Sequence, residues 1–273
     1  MDPVSRDKRV IVLACLGLAL ILSGCSWVGR QSAEVARLRG GLEKASKEAS
    51  EGQTMETFAS ENAVPQLPDT CSRAEADAWA DQVETIPEAG GKAAACYLVL
   101  ARDGAEKRRR LADAKKGRLL AEQIVRADAR NAFAHYLYAY LTALVAENNS
   151  AQGLQLVGVI EREALEAANL DPRVDQGGAD RLLGELYLKA PSFPMSVGDF
   201  SKAIFHFKRA VNLAPDYVEN RLGLAEALLA EDEKQAACEE LRQAFRTLTA
   251  PGDSKSPREE ALKLMQSLCS KLD

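Results

Sequence analysis

Cysteine is the residue type with the clearest capacity for chemistry in this chain, because a thiol can be acylated, oxidised to a disulfide or used as a metal ligand. The 273-residue chain contains six cysteines and only two histidines. Cys15 and Cys25 lie near the N-terminus, and the other four follow at Cys71, Cys96, Cys238 and Cys269. None of these four has the spacing of a zinc site, so they predict disulfides, for which three pairings are open.

One pairing is favoured by its geometry. Cys238 and Cys269 fall on consecutive antiparallel helices, and their midpoint lies in the connecting segment, so the two thiols are expected at matching heights. A disulfide between them closes a loop of 31 residues, for which loop-closure entropy gives somewhat over ~3 kcal/mol of stabilisation. Cys71 and Cys96 are the less favoured pair, because they are offset by about two helical turns, although an oxidising compartment favours the bond.

The sequence offers little that points to catalysis. His135 and His206 both lie inside amphipathic helical segments and are interpreted as packing residues. The chain has no glycine-rich phosphate loop, no Gly-x-Ser-x-Gly elbow and no His-Glu-x-x-His motif. Its formal charge of −5 is not that of a nucleic-acid-binding protein. We therefore predict no catalytic residue, no metal, no cofactor and no nucleic-acid partner.

The first 24 residues have the layout of a bacterial secretory signal. A basic start that includes Arg6, Lys8 and Arg9 leads into the apolar run VIVLACLGLALIL and then into LSGC at residues 22–25. This tetrapeptide resembles the lipobox of bacterial lipoproteins. The resemblance implies cleavage before Cys25, a thioether between its thiol and diacylglycerol, and acylation of the new amine by a fatty acid such as palmitate.

The residues after Cys25 bear on the location of the chain. The uncharged run continues to Gly29, which leaves an uncleaved signal anchor as the alternative to a lipoprotein. Either way, the body is expected outside the cytosol, facing the periplasm. Ser26 is not the aspartate that retains enteric lipoproteins in the inner membrane, so the lipoprotein resemblance implies the outer membrane over the inner one.

Composition divides the rest of the chain into two parts. Residues 25–70 are polar and charge-mixed, and we expect them to be a flexible tether that lets the body reach away from the membrane. Residues 71–273 are expected to form the folded domain. It begins near Ser72, where SRAE is a capping box in which Glu75 reaches back to the helix start.

A short phrase recurs through this domain every 43 residues. IVRADA ends at Ala129, AANLDP at Pro172 and AVNLAP at Pro215. Self-similarity at this spacing is typical of helical-repeat arrays, in which each helix pair buries its apolar side against the next. Because no alternating, strand-like run of useful length occurs, we predict an all-α solenoid of antiparallel helix pairs.

Local signals place several helix ends. Helices are expected over residues 107–126 and 131–147, and a turn over residues 86–91. Asp199 is placed to cap the helix that Pro215 ends, and Asp216 to cap the helix after it.

Two family resemblances follow from the clearest repeat. Gly184 and Tyr187, followed by Ala203, Phe207, Ala210 and Pro215, resemble the tetratricopeptide pattern, except that the loop at residues 190–198 makes the repeat longer. Residues 107–247 resemble the T component of tripartite ATP-independent periplasmic (TRAP) transporters, most specifically over Gly177–Asp216. That family implies a lipid-tethered, tetratricopeptide-like body that binds the transporter's periplasmic solute receptor. It also implies transfer of a small hydrophobic ligand and ring-like homo-oligomers with a small hydrophobic channel.

The first helices of such repeats line the groove, so the exposed side of ADRLLGELYLK is expected to face a partner or ligand. This places Arg181, Glu185 and Tyr187 on the working surface. Phe193, in the long loop, is either a further partner contact or a plug between two helix pairs. Two other functions remain open: an envelope-assembly or secretion scaffold that grips extended peptides, and a binder of a small apolar ligand.

The lipobox predicts covalent lipid on Cys25. Cells fed a fatty-acid analogue should label the wild-type protein and leave Cys25→Ala unlabelled, because that substitution removes the only thiol at the predicted cleavage site. Equal labelling of the two proteins would contradict lipidation at Cys25.

Overall fold

The computed structural model describes residues 64–86, 88–148, 150–248 and Cys269; of residues 150–152 and 248 it describes the backbone alone. Cys25, the signal region and most of the tether lie outside these residues. The described chain forms nine α-helices: α1 (Arg73–Ala80), α2 (Ala89–Asp103), α3 (Lys107–Ala127), α4 (Ala132–Asn148), α5 (Ser150–Leu170), α6 (Gly178–Lys189), α7 (Phe200–Leu213), α8 (Val218–Ala230) and α9 (Lys234–Leu248). None of them is both long enough and apolar enough to span a bilayer.

The helices stack in two rows. Each helix packs against the next one along the chain, and α2, α4, α6 and α8 also contact one another in series. We call these four helices the inner row. Among the described helices no comparable contact joins α3, α5, α7 and α9, the outer row. The predicted all-α repeat solenoid is confirmed, and the outer helices α3, α5 and α7 end at Ala127, Leu170 and Leu213, 43 residues apart in each case.

The core consists of several clusters of buried hydrophobic residues along the array. Its largest cluster of buried hydrophobic residues extends from α4 to α9, and a second cluster joins α2, α3 and α4. Phe207 of α7 is fully buried and lies in a slot between Gly184 of α6 and Gly223 of α8. A Cβ on Gly184 would lie 2.7 Å from the Phe207 ring, and one on Gly223 would overlap the ring. The glycine and phenylalanine of the tetratricopeptide-like pattern are therefore packing partners.

Two of the three predicted helix caps are present. The Ser72 hydroxyl accepts the amide proton of Glu75 at 3.2 Å, and the Asp199 carboxylate accepts that of Lys202 at 3.0 Å. The prediction for Asp216 was wrong, because α8 begins one residue later, after Tyr217, and has no side-chain cap. The predicted turn at 86–91 was too long, since α2 already begins at Ala89.

Both cysteine pairs are bonded in the structure. The Cα atoms are 5.8 Å apart in Cys238–Cys269 and 5.3 Å apart in Cys71–Cys96. The expected height mismatch of the second pair does not arise, because Cys71 precedes α1 and is not held to a helical position. Among the described residues, the one group with metal-ligand spacing is Cys71, Glu75 and Cys96, and both of its thiols are in this disulfide.

The glycine slot around Phe207 generates a stability prediction. Gly184→Ala and Gly223→Ala should each lower the free energy of unfolding by ~1–3 kcal/mol, because the added methyl overpacks the slot. Gly158→Ala on α5 is the matched control, since its Cβ would have no neighbour within 4 Å, and the helix propensity of alanine should raise stability by ~0.5–1 kcal/mol. Urea unfolding measures all three; a neutral effect at Gly184 and Gly223 would contradict the packing argument.

Candidate functional site

The candidate site is built around the turn that joins α5 to α6. A single 3-10 turn spans Val174–Gln176, and Asp175 and Gln176 both have left-handed backbones, with φ of 47° and 56°. Gly177 follows with φ of 81°, and a Cβ there would lie 3.1 Å from the Ala210 Cα. Aspartate tolerates the left-handed region better than most residues. At position 177, only glycine accepts both the positive φ and the close approach of Ala210. The turn thereby places Asp175 inside the body, where it is only 6% exposed.

Asp175 binds three groups through its carboxylate. The Tyr136 hydroxyl of α4 donates to Oδ2 at 2.5 Å, and the Arg181 guanidinium of α6 donates to the same oxygen at 2.6 Å. The backbone amide of Leu67 donates to Oδ1 at 3.2 Å. The amide of Asp175 in turn donates to the Pro65 carbonyl at 3.1 Å. One residue thus holds two inner-row helices and a segment that is more than 100 positions earlier in the chain.

Arg181 extends this network to the next helix pair. Its guanidinium donates to the Asn220 side-chain oxygen at 2.9 Å and lies over the Tyr217 ring, 4.7 Å from the centroid. Asn220, fully buried on α8, donates to the carbonyls of Gln176 and Ala210, both at 2.9 Å. The buried carboxylate of Asp175, the guanidinium of Arg181 and the amide of Asn220 therefore all have hydrogen-bond partners, as burial of charged and polar groups requires.

Burial and charge shift the protonation equilibria of the cluster. Burial raises the pKa of Tyr136 well above its ordinary value, and the neighbouring Asp175 carboxylate raises it further. Burial opposes the charge on Arg181, but Tyr136 and Asp175 outweigh it and raise its pKa. At neutral pH, Tyr136 is therefore a neutral donor and Arg181 a fixed cation.

A second cation lies near the same inner-row surface. Burial opposes the charge of Arg102, at the end of α2, but its hydrogen bond to Asp103 and its proximity to Tyr140 and Tyr217 raise its pKa. The Tyr140 ring lies 5.9 Å from the Tyr136 ring. Cations and aromatic rings from α2, α4, α6 and the residue before α8 therefore lie near one another along the inner row.

Residues Val64–Pro68, which we call the strap, lie against the inner row without regular secondary structure. The Leu67 side chain is half-buried and packs against two core clusters, one from α2 to α4 and one containing Tyr136 and Val174. The tether predicted over residues 25–70 is described only at its C-terminal end, where the strap lies against the body. The strap is fixed to the body because Asp175 satisfies its backbone groups at both Pro65 and Leu67.

The four residues expected to face a partner separate into two groups. Arg181 and Tyr187 lie inside the body, 8% and 4% exposed, rather than on its open surface. Arg181 is drawn inward by Asp175, and Tyr187 stacks on His206 and donates to Glu161 at 2.7 Å. Glu185 is half-buried and pairs with Lys189, whereas Phe193 is 88% exposed.

The histidines are packing residues with carboxylate partners. His135 lies 2.7 Å from Glu163 and joins α4 to α5, and His206 lies 2.7 Å from Asp180 and joins α7 to α6. Both pairs are buried within helix pairs, which agrees with the interpretation of His135 and His206 as structural.

Sequence reasoning missed Asp175, Tyr217 and Leu67. The one local signal was the VDQGG stretch after α5, where consecutive turn-forming residues indicate an irregular connection. Nothing in that stretch indicates that Asp175 binds Leu67 and Tyr136, which are distant in the sequence.

Comparison with known proteins agrees with the geometry. Residues 195–248, from the long loop to the end of α9, match the tetratricopeptide repeat family. A search of curated proteins found no match. The match and the nine-helix array support a tetratricopeptide-like protein. Modules of this type are generally protein-interaction scaffolds without enzymatic activity.

The network around Asp175 predicts a pH dependence. Tyr136→Phe should lower the free energy of unfolding at pH 8 by ~1–3 kcal/mol, because it removes a buried donor from Asp175. The pKa of Tyr136 is raised by folding, so its contribution is present below the unfolded value of about 10 and is lost as pH rises above it. The difference between wild type and variant should therefore narrow above pH 10 in urea unfolding; a constant difference to pH 11 would contradict the assignment.

Proposed function

We propose that this chain is a lipid-anchored, periplasm-facing scaffold that binds a protein partner, the solute receptor of a TRAP-type transporter. Three observations support the proposal: the helical-repeat array, the lipobox at Cys25, and the resemblance of residues 107–247 to the transporter T component. Two disulfides suit an oxidising compartment. The same resemblance extends the proposal to a small hydrophobic ligand and to homo-oligomers.

The observation that carries partner binding is the loop between α6 and α7. Phe193 and Met195 are 88% and 73% exposed there. The Phe193 plug is thereby contradicted, because a plug between helix pairs would be buried.

The loop is nevertheless pinned to the body. The Gly198 amide donates to the Pro191 carbonyl at 3.0 Å, and the Asp199 amide donates to the Tyr187 carbonyl at 2.9 Å. Large apolar side chains held on a fixed loop at the end of an inner-row helix are typical of a surface that a partner covers.

A second candidate function is favoured by the strap. A segment without regular secondary structure already lies on the inner row and is bound through its backbone. This is the manner in which an envelope-assembly or secretion scaffold would grip extended peptides.

The experiment compares three full-length proteins immobilised on beads: wild type, the double variant Phe193→Ser with Met195→Ser, and Leu119→Ser. Leu119 is the matched control, because it is 60% exposed but lies on the outer helix α3. Each protein is incubated with a purified solute receptor encoded beside a TRAP permease in the same genome. We expect the double variant to retain at least ~10-fold less receptor than wild type, since buried apolar anchors dominate interfaces.

Leu119→Ser should bind as wild type does, and all three proteins should melt at similar temperatures because the changed residues are exposed. Absence of the receptor from the wild-type beads would contradict the proposed partner. Equal binding by the double variant and the control would contradict the assignment of the loop.

A further inference from the structure

We propose that the strap is a resident ligand of the site at Asp175, and that the same site takes, in trans, an extended peptide of the form Pro-x-Leu-Pro that displaces the strap. The proposal rests on the second candidate function, peptide binding, and deepens it by naming the peptide chemistry and the segment that competes with it. Four features of the described residues support it.

The first feature is recognition through the backbone. The Asp175 amide donates a hydrogen bond to the carbonyl of Pro65, and the Asp175 carboxylate accepts one from the amide of Leu67, two residues later. Residues i and i+2 point the same way in an extended chain, so this two-point contact selects an extended conformation. Gln66, between them, is exposed, and its side-chain amide donates to the Val64 carbonyl of the strap itself.

The second feature is the position of the Leu67 side chain. Leu67 packs where the cluster of α2, α3 and α4 meets the cluster of Tyr136 and Val174. A side chain placed between two core clusters gives specificity at that position of the peptide, while the backbone bonds do not depend on sequence.

The third feature is preorganisation of the strap. Val64 precedes Pro65, and Leu67 precedes Pro68, so both residues are biased towards the extended region before they bind. A peptide with the same prolines loses less conformational entropy on binding than one without them. The site therefore favours proline-containing extended chains.

The fourth feature is the short connection between the strap and the disulfide. Only Asp69 and Thr70 separate Pro68 from Cys71, which is bonded to Cys96 on α2. A segment tethered so closely has an effective concentration on the order of millimolar at its site. A peptide in solution must compete with the strap. The apparent affinity of the peptide is its intrinsic affinity multiplied by the fraction of molecules in which the site is free.

The test uses the full chain and a fluorescein-labelled peptide, VPQLPDT, that copies residues 64–70. Leu67→Asp releases the strap, because it places a charge between two apolar clusters. Gln66→Ala is the matched control, one position away on an exposed side chain. By fluorescence anisotropy we expect Leu67→Asp to bind the peptide at least ~10-fold more tightly than wild type, and Gln66→Ala to bind as wild type does.

A second peptide, VPQDPDT, should bind none of the three proteins. Equal binding of VPQLPDT by all three proteins would overturn competition by the strap. Absence of binding to any of them, with Leu67→Asp still folded by circular dichroism, would overturn the peptide site itself.

Hydrogen exchange of the wild-type protein tests the proposal without a variant. The amides of Leu67 and Asp175 are both hydrogen-bonded in the docked state, so both should be protected. Excess VPQLPDT should accelerate exchange at the Leu67 amide of the chain while Asp175 stays protected by the incoming peptide. Unchanged exchange at Leu67 would overturn displacement. Receptor binding through the Phe193 loop is measured separately, so failure of the peptide site and failure of the proposed receptor are distinguishable.

Discussion

A buried carboxylate must be fully paired, and that requirement at Asp175 organises the middle of this array. An isolated ionised group in the interior is strongly unfavourable, and Asp175 avoids that cost because Tyr136, Arg181 and the Leu67 amide all donate to its carboxylate. Each donor belongs to a different part of the chain. The pairing of Asp175 therefore sets the position of α4 relative to α6 together with the docking of the strap. Through Arg181 and Asn220 it also sets the position of α8.

The same principle recurs inside the helix pairs. His135 with Glu163 joins α4 to α5, and His206 with Asp180 joins α7 to α6, so the histidine is on the first helix of one pair and on the second helix of the other. Such buried polar pairs add modestly to stability but penalise any shift that separates the partners. They fix the register of two packed helices. Small side chains such as alanine would by themselves allow several similar packings.

The sequence predicted the architecture well, because repeat spacing and helical periodicity are local patterns. The ends of α3, α5 and α7 fall 43 residues apart, as the recurring phrase indicated, and Gly184 and Phe207 meet as packing partners. The surface was predicted less well. Arg181 is charged and was expected on the exposed side of its helix, but its partner Asp175 is held in a left-handed turn that periodicity does not describe. Leu67 was missed because the backbone hydrogen bonds that Pro65 and Leu67 form with Asp175, a distant residue, leave no pattern in the local sequence.

The attachment of the strap also determines where mechanical load enters the molecule. Tension on the chain from the N-terminal side of Val64 reaches the two hydrogen bonds at Asp175 first, at the α5–α6 turn, and so pulls on the interior of the array and not on its terminal helix. If those bonds open, the slack from Leu67 to Cys71 is at most about 14 Å of chain. The load then meets the covalent Cys71–Cys96 bond, which ties it directly to α2. Stretching thus peels the strap from the inner row before it can strain α1, which makes the docked state of the strap sensitive to force.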